Sequence, residues 1–242
     1  MRDGACAACA GCVTLRPVEA APHVRRVARA SVLALCDRLD RAAGSTRYAA
    51  GSARFESEGE TVEITPPFHF EHWANADRID TGPLRAHLAA PRRVGLLVVR
   101  LGGYGAGVYE NEQLVSGKHG VRFVKNRNKK GGSSSNRFRR RRGEQARDAY
   151  DRSTALAEEI LAPYAERLDD FVLAGDRIGL EQVIERSRML TDLTRQATTL
   201  PIHVPEVRRA VLEGLGRELW SSAVELTRQP DMGSQVSPAA GA

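Results

Sequence analysis

Apolar residues recur at three- and four-residue steps over residues 22–41, at Val24, Val27, Ala28, Val32, Leu35, Cys36 and Leu39. This spacing predicts a helix, with Gly44 beyond its end as a stop signal. A short strand is expected before it, over 13–18. Residues 47–55 and 61–65 read as two strands around the polar turn Ser57-Glu58-Gly59-Glu60, and Pro66-Pro67 close the unit. An apolar run over 94–101 predicts a buried strand. Residues 108–109, 114–115 and 120–124 extend it into a three-strand meander, with the glycines of 102–107 as a hairpin connection. A long helix is expected over 136–168, with its apolar stripe at Ala146, Ala149, Tyr150, Ser153, Leu156, Ala157, Ile160, Leu161 and Tyr164. Ser135 or Asn136 suits its N-cap, and Pro163 should kink or end it. A strand at 171–174, a helix at 180–187, a strand at 201–204 and a closing helix at 205–228 follow. Alternation of strands and helices points to an α/β fold with a mixed β-sheet flanked by helices. The expected organisation is a disordered leader (1–12), a small N-terminal α+β module (13–66), the α/β domain (67–228) and a disordered tail (229–242).

Composition leaves this picture intact. The chain has 242 residues, 42% hydrophobic and 27% charged, ordinary for a globular protein. That excludes a mostly disordered chain, a collagen-like repeat and a disulfide-built miniprotein. No stretch approaches the ~18 apolar residues that would span a bilayer, and the first twelve residues lack the apolar core of a signal peptide. A cytoplasmic protein with no membrane partner is expected.

Charge adds more. The formal net charge is +6, but eleven Lys or Arg residues and no Asp or Glu lie between Lys118 and Arg142. The remainder holds 25 basic and 30 acidic residues, a net of −5. A concentrated cationic segment on a mildly acidic body points to a polyanion, nucleic acid first and an acidic membrane surface second.

Several familiar chemistries fail on spacing. Cys6, Cys9 and Cys12 form a C-x2-C-x2-C run, but an iron–sulfur motif would need another Cys where Arg16 stands. Cys36 lies on the expected helix without a paired Cys, and is expected to be buried. His69-Phe70-Glu71-His72 is not the H-E-x-x-H of a metalloprotease, and these histidines are expected to be packed or solvated. Counting G-x-G-x-x-G from Gly103 puts Val108 at the third glycine, with strand character following. A P-loop fails because Gly117-Lys118 is followed by His119. Gly-Gly-Ser-Ser-Ser is not a G-x-S-x-G elbow. No cofactor and no metal are expected.

The cationic segment has its own architecture. Lys125, Arg127, Lys129 and Lys130 lead into Gly131-Gly132-Ser133-Ser134-Ser135, a loop with almost nothing to bury. Arg137 and Arg139, Arg140, Arg141 and Arg142 then open the long helix. At ~100° per residue, four successive arginines fan around most of the circumference. They suit a partner that surrounds the helix start. The helix dipole opposes cations there, so helix stability does not account for them. Phosphate does, since the guanidinium fork donates two parallel hydrogen bonds. Only Phe123 and Phe138 are aromatic here, so backbone recognition of structured RNA fits better than base stacking.

Residues 129–142, K-K-G-G-S-S-S-N-R-F-R-R-R-R, resemble the loop and helix of the GGQ domain of eukaryotic and archaeal class-1 peptide release factors. Gly131, Gly132, Ser134, Arg137 and Phe138 match in register. The chain is also similar, over most of 94–225, to the actinobacterial branch of the VLRF-type release-factor-like peptidyl-tRNA hydrolases. The matching pieces include the strand at 94–101, Gly102-Gly103-Tyr104, the strand at 120–124, Gly131-Gly132, residues 137–142 with Gln145, and Ala174-Gly175-Asp176. The resemblance implies a release-factor middle-domain-like fold, a ribosome and peptidyl-tRNA partner, no DNA, and hydrolysis of the peptidyl-tRNA ester. It places Gly131, Gly132, Ser133, Ser134 and Ser135 at the reaction. Lys125, Arg127, Lys129, Lys130, Arg137, Arg139, Arg140, Arg141, Arg142 and Gln145 would bind RNA. Residues 133–136 are Ser-Ser-Ser-Asn where the family presents a Gln, which leaves a non-catalytic RNA- or ribosome-binding protein as the alternative.

Overall fold

The computed structural model describes residues 24–100, 102–121, 135–199, 204 and 206–228. Its elements are, in order, β1 (Arg25–Val27), α1 (Arg29–Leu39), β2 (Gly44–Ala49), β3 (Ser52–Ser57), β4 (Glu60–Thr65), β5 (Ala74–Ala76), α2 (Gly82–Ala89), β6 (Arg93–Arg100), β7 (Gly103–Glu110), β8 (Gln113–Val121), α3 (Ser135–Leu161), β9 (Asp170–Gly175), α4 (Arg177–Ile184), α5 (Arg188–Leu193), β10 (Ala197–Thr199), α6 (Arg209–Leu219) and β11 (Ser222–Arg228). They form two compact units, one within Arg92–Glu213 and the other within Ala20–Pro91 and Gly214–Ala242.

In the second of these units an antiparallel sheet runs in the order β1-β11-β4-β3-β2-β5. Its strands alternate, so Tyr48, Ala53, Phe55, Val62 and Ile64 all face one core, completed by Val32, Cys36 and Leu39 of α1 and Leu84 and Leu88 of α2. Arg85 ties α2 to α1, pairing with Asp37 at 2.6 Å and Asp40 at 2.8 Å. Burial works against the Asp40 carboxylate, but hydrogen bonds from Thr81 and Arg85 outweigh it and hold its pKa below the ordinary value. Burial lifts the Cys36 thiol to about 11.

The other unit carries the sheet β10-β9-β6-β7-β8. It is mixed: β10, β9 and β6 run parallel, and β7 and β8 are antiparallel. Six consecutive residues of β6, Val94 to Val99, are buried, as a central strand covered on both faces requires. Leu156, Ala157 and Leu161 of α3 join Leu97, Tyr104, Ala106 and Val108 in one core with Leu180 and Val183 of α4.

The α/β class with a mixed sheet and flanking helices stands. Several elements differ from the sequence reading. Residues 25–27, read as the start of the first helix, are a strand paired with β11. Residues 47–55, read as one strand, are the end of β2, a tight turn at Gly51 (φ 78°) and the start of β3. Glycines 103, 105 and 107 lie inside β7, where a Cβ at Gly105 would come within 2.9 Å of Val207. The α-helix stops at Leu161, and Pro163 opens a 3-10 segment, Ala162–Arg167. The single helix at 180–187 is replaced by α4 and α5, which are capped by Asp176 and Ser187. The closing helix ends at Leu219, after which β11 pairs with β4. A boundary near residue 66 was expected, yet β5 and β11 hydrogen-bond into the sheet built by β2, β3 and β4. The expected strand at 13–18 and most of that at 201–204, like Cys6, Cys9, Cys12 and the tail, lie outside the described residues.

Candidate nucleic-acid interface

The long helix α3 has 27 residues, about 40 Å at 1.5 Å per residue. It begins at Ser135, so Ser135 is a helical residue and not the cap. Arg137, Arg139, Arg140, Arg141 and Arg142 all fall in its first two or three turns. The helix is gripped from Tyr150 onward. Thr154 Oγ1 donates to Val183 O at 3.2 Å, Lys118 Nζ pairs with Glu159 at 2.8 Å, and Arg186 pairs with Asp151 at 3.0 Å. The half-buried Tyr150 ring lies under the Arg186 guanidinium, 5.4 Å from its centroid. Lys118, counted in the cationic segment, is thus paired with the body.

At the start of the helix the described side chains Arg140 and Glu144 are exposed. Arg140 is 86% exposed and meets Glu144 one turn on, at 3.2 Å. Such an exposed pair is worth well under about 1 kcal/mol, since solvent screens it, and it leaves the guanidinium accessible. Gly143, Glu144 and Arg147 are exposed as well, and Gln145 is half-buried. Gly131, Gly132, Ser133 and Ser134, with Lys125, Arg127, Lys129 and Lys130, lie outside the described residues.

Two other matching motifs meet elsewhere. Val99 pairs with Gly175 across the parallel β6–β9 ladder, so Gly102-Gly103-Tyr104 and Ala174-Gly175-Asp176 sit at the same sheet end. Gly175 is obligatory: its φ is +112°, and a Cβ would lie 2.1 Å from Val99 O. Asp176 N donates to Val99 O at 2.7 Å, and the Asp176 carboxylate accepts from Gly179 N at 2.9 Å, capping α4. Beside them a cleft opens between this sheet end and α3, lined in part by Tyr104, Ala149, Tyr150 and Ser153. The sequence motifs by themselves do not show this adjacency, because it depends on the β6–β9 pairing.

Among the described residues no group of His, Cys, Asp or Glu could hold a metal ion, and no helix is long and apolar enough to cross a membrane. His69 pairs with Glu71 at 2.9 Å with both side chains exposed, and His72 packs edge-on to Tyr48 with centroids 4.7 Å apart.

Fold and site together define a two-sheet α/β protein whose longest helix opens in a run of arginines. The family model for the Actinobacteria/chloroflexi VLRF1 release factor matches residues 92–225, more than half of the chain, and the chain belongs to that family. It is a release-factor-like protein. Among solved structures the chain is similar to the Vms1 mitochondrial localization core, with 11% identity, 83% of each chain covered and a TM-score of 0.42. It is similar also to the archaeal translation termination factor aRF1, with 12% identity, 80% of this chain and 73% of that one covered, and a TM-score of 0.35. No curated protein matches.

Proposed function

We propose that the protein is a ribosome-associated, release-factor-like peptidyl-tRNA hydrolase that frees nascent peptide from tRNA on stalled ribosomes in the cytoplasm. The observation that carries this reading is an arginine-rich helix start whose described side chains are exposed, in a chain of the release-factor family. The arginines hold phosphates, and the residues before them, Gly131 to Ser135, reach the ester between peptide and tRNA. Water attacks the ester carbonyl, the acyl–oxygen bond breaks, and the proton leaves with the tRNA 3′ oxygen. The loop holds no carboxylate or imidazole, so the rate comes from positioning that water among RNA groups. A serine hydroxyl can hold the water, and a backbone amide can stabilise the oxyanion. The Ser-Ser-Ser-Asn in place of the family Gln favours a second reading, a ribosome-binding protein without catalysis.

Purified protein added to stalled ribosome–peptidyl-tRNA complexes separates the two. Release that is lost in Gly132→Ala, and lost when Ser133, Ser134 and Ser135 are replaced by alanine, supports the hydrolase. Release that survives both changes removes the loop from the reaction. Binding without release supports the second reading. Ser133→Gln, Ser134→Gln or Ser135→Gln should raise a weak but correctly placed activity.

A further inference from the structure

The cleft at the β6–β9 sheet end carries a feature that the proposed hydrolysis does not use. It is a shallow cleft open to solvent, with about 420 Å³ of non-atom space when the solvent at its mouth is counted. Its walls come from the ends of β6 and β7, from α3 between Ala146 and Ser153, and from the start of α4. Ser153 is 1% exposed, lines this space, and its Oγ has no hydrogen-bond partner among the described residues. A helical serine ordinarily bonds the carbonyl one turn back; this one does not. A buried hydroxyl left unpaired is unfavourable, a cost that a ligand group at this point would remove. The rim adds the Arg100 guanidinium, which also donates to Val204 O, and the Asp176 carboxylate. Tyr104 and Tyr150 supply aromatic surface.

Apolar walls, a hydrogen-bonding group at depth and both charge signs at the rim suit a ligand with flat apolar faces and polar edges. The Arg100 guanidinium at the rim gives a phosphate attached to that ligand a cationic partner. We propose that this cleft seats a nucleobase, carried by a free nucleotide or by one unstacked residue of the RNA partner. It rests on the reading of the α3 start as RNA-binding.

The test titrates adenosine 5′-monophosphate, with ribose 5-phosphate as the base-free control, into the full-length isotope-labelled protein. Saturable amide shifts at Gly103, Ala149, Ser153 and Gly179 are expected with the nucleotide and not with ribose 5-phosphate. Ser153→Ala should weaken the affinity about fivefold, and Ala149→Leu should abolish binding while the spectrum stays dispersed. If Ala149→Leu does not fold, Ser153→Ala and the base-free control decide alone. A single-stranded RNA carrying 4-thiouridine that crosslinks to the Tyr150 peptide assigns the base to RNA; nucleotide binding without crosslinking assigns it to the free nucleotide. Equal shifts from ribose 5-phosphate, an unaltered affinity in Ser153→Ala, or no shifts at these amides with no crosslink would overturn the proposal. Peptide release with an empty cleft refutes only the cleft, and an occupied cleft without release refutes only the hydrolase.

Discussion

Replacing Arg139, Arg140, Arg141 and Arg142 together by glutamine removes four charges from the start of α3 and leaves its anchorage untouched. These residues precede Tyr150, where the helix meets the core, by eight to eleven positions, about 12–17 Å along the axis. The Debye length at physiological salt is about 8 Å, shorter than that separation. The exposed Arg140–Glu144 pair is too weak to withdraw Arg140. If each arginine contacts one phosphate, the logarithm of ribosome affinity should fall against the logarithm of salt with about −2.8 to −3.6 of slope from these four contacts, at −0.7 to −0.9 each. Between 50 and 200 mM KCl that is a loss of about 50- to 150-fold. The assay is cosedimentation with ribosomes across KCl concentrations at fixed Mg²⁺. The variant should bind more weakly at low salt, and its slope should be shallower by about 3. The melting temperature should hold or rise slightly, because cations at a helix N-terminus oppose the dipole. An unchanged slope and affinity would refute the phosphate-clamp argument; an unchanged slope with a collapsed melting temperature would show that the arginines serve the fold.

Three further outcomes follow from the packing. Gly175→Ala should cost at least about 2 kcal/mol in urea unfolding, through the +112° φ and the clash with Val99 O; a wild-type midpoint would contradict the geometry. Tyr109 Oη donates to Leu212 O at 2.6 Å inside the core, so Tyr109→Phe should cost about 1 kcal/mol, read the same way, and no change would show that the bond contributes nothing. The folded-state pKa of Asp40 is depressed, so its contribution is full above about 3.8 and is lost as pH falls through the folded value. That of Cys36 is raised, so its contribution is full below 9.0 and is lost as pH climbs towards about 11. Unfolding followed against pH should show acid loss reduced in Asp40→Asn and alkaline loss reduced in Cys36→Ala; curves parallel to wild type would refute both assignments.

Local pattern was enough for what depends on a residue and its near neighbours. The strand β6, the stripe on α3, the end of α3 near Pro163 and the turn at Gly59 follow from burial on one or both faces and from residues that restrict or free the backbone. The arginine run needed only charge counting, since its meaning comes from the absence of acidic neighbours in sequence. What the sequence could not decide were features set by partners far along the chain. Residues 25–27 carry a helical spacing, yet they pair with β11, nearly two hundred residues away. Residues 222–228 fall within the closing helix expected from the sequence, but they pair with β4, and sheet hydrogen bonds outweigh propensity. The cleft is the clearest case. Ser153 reads as one more position on an apolar stripe until β6 and β9 align and bring Arg100 and Asp176 to the same end. A hydroxyl becomes an unmet hydrogen bond only once the surrounding chain has excluded water from it.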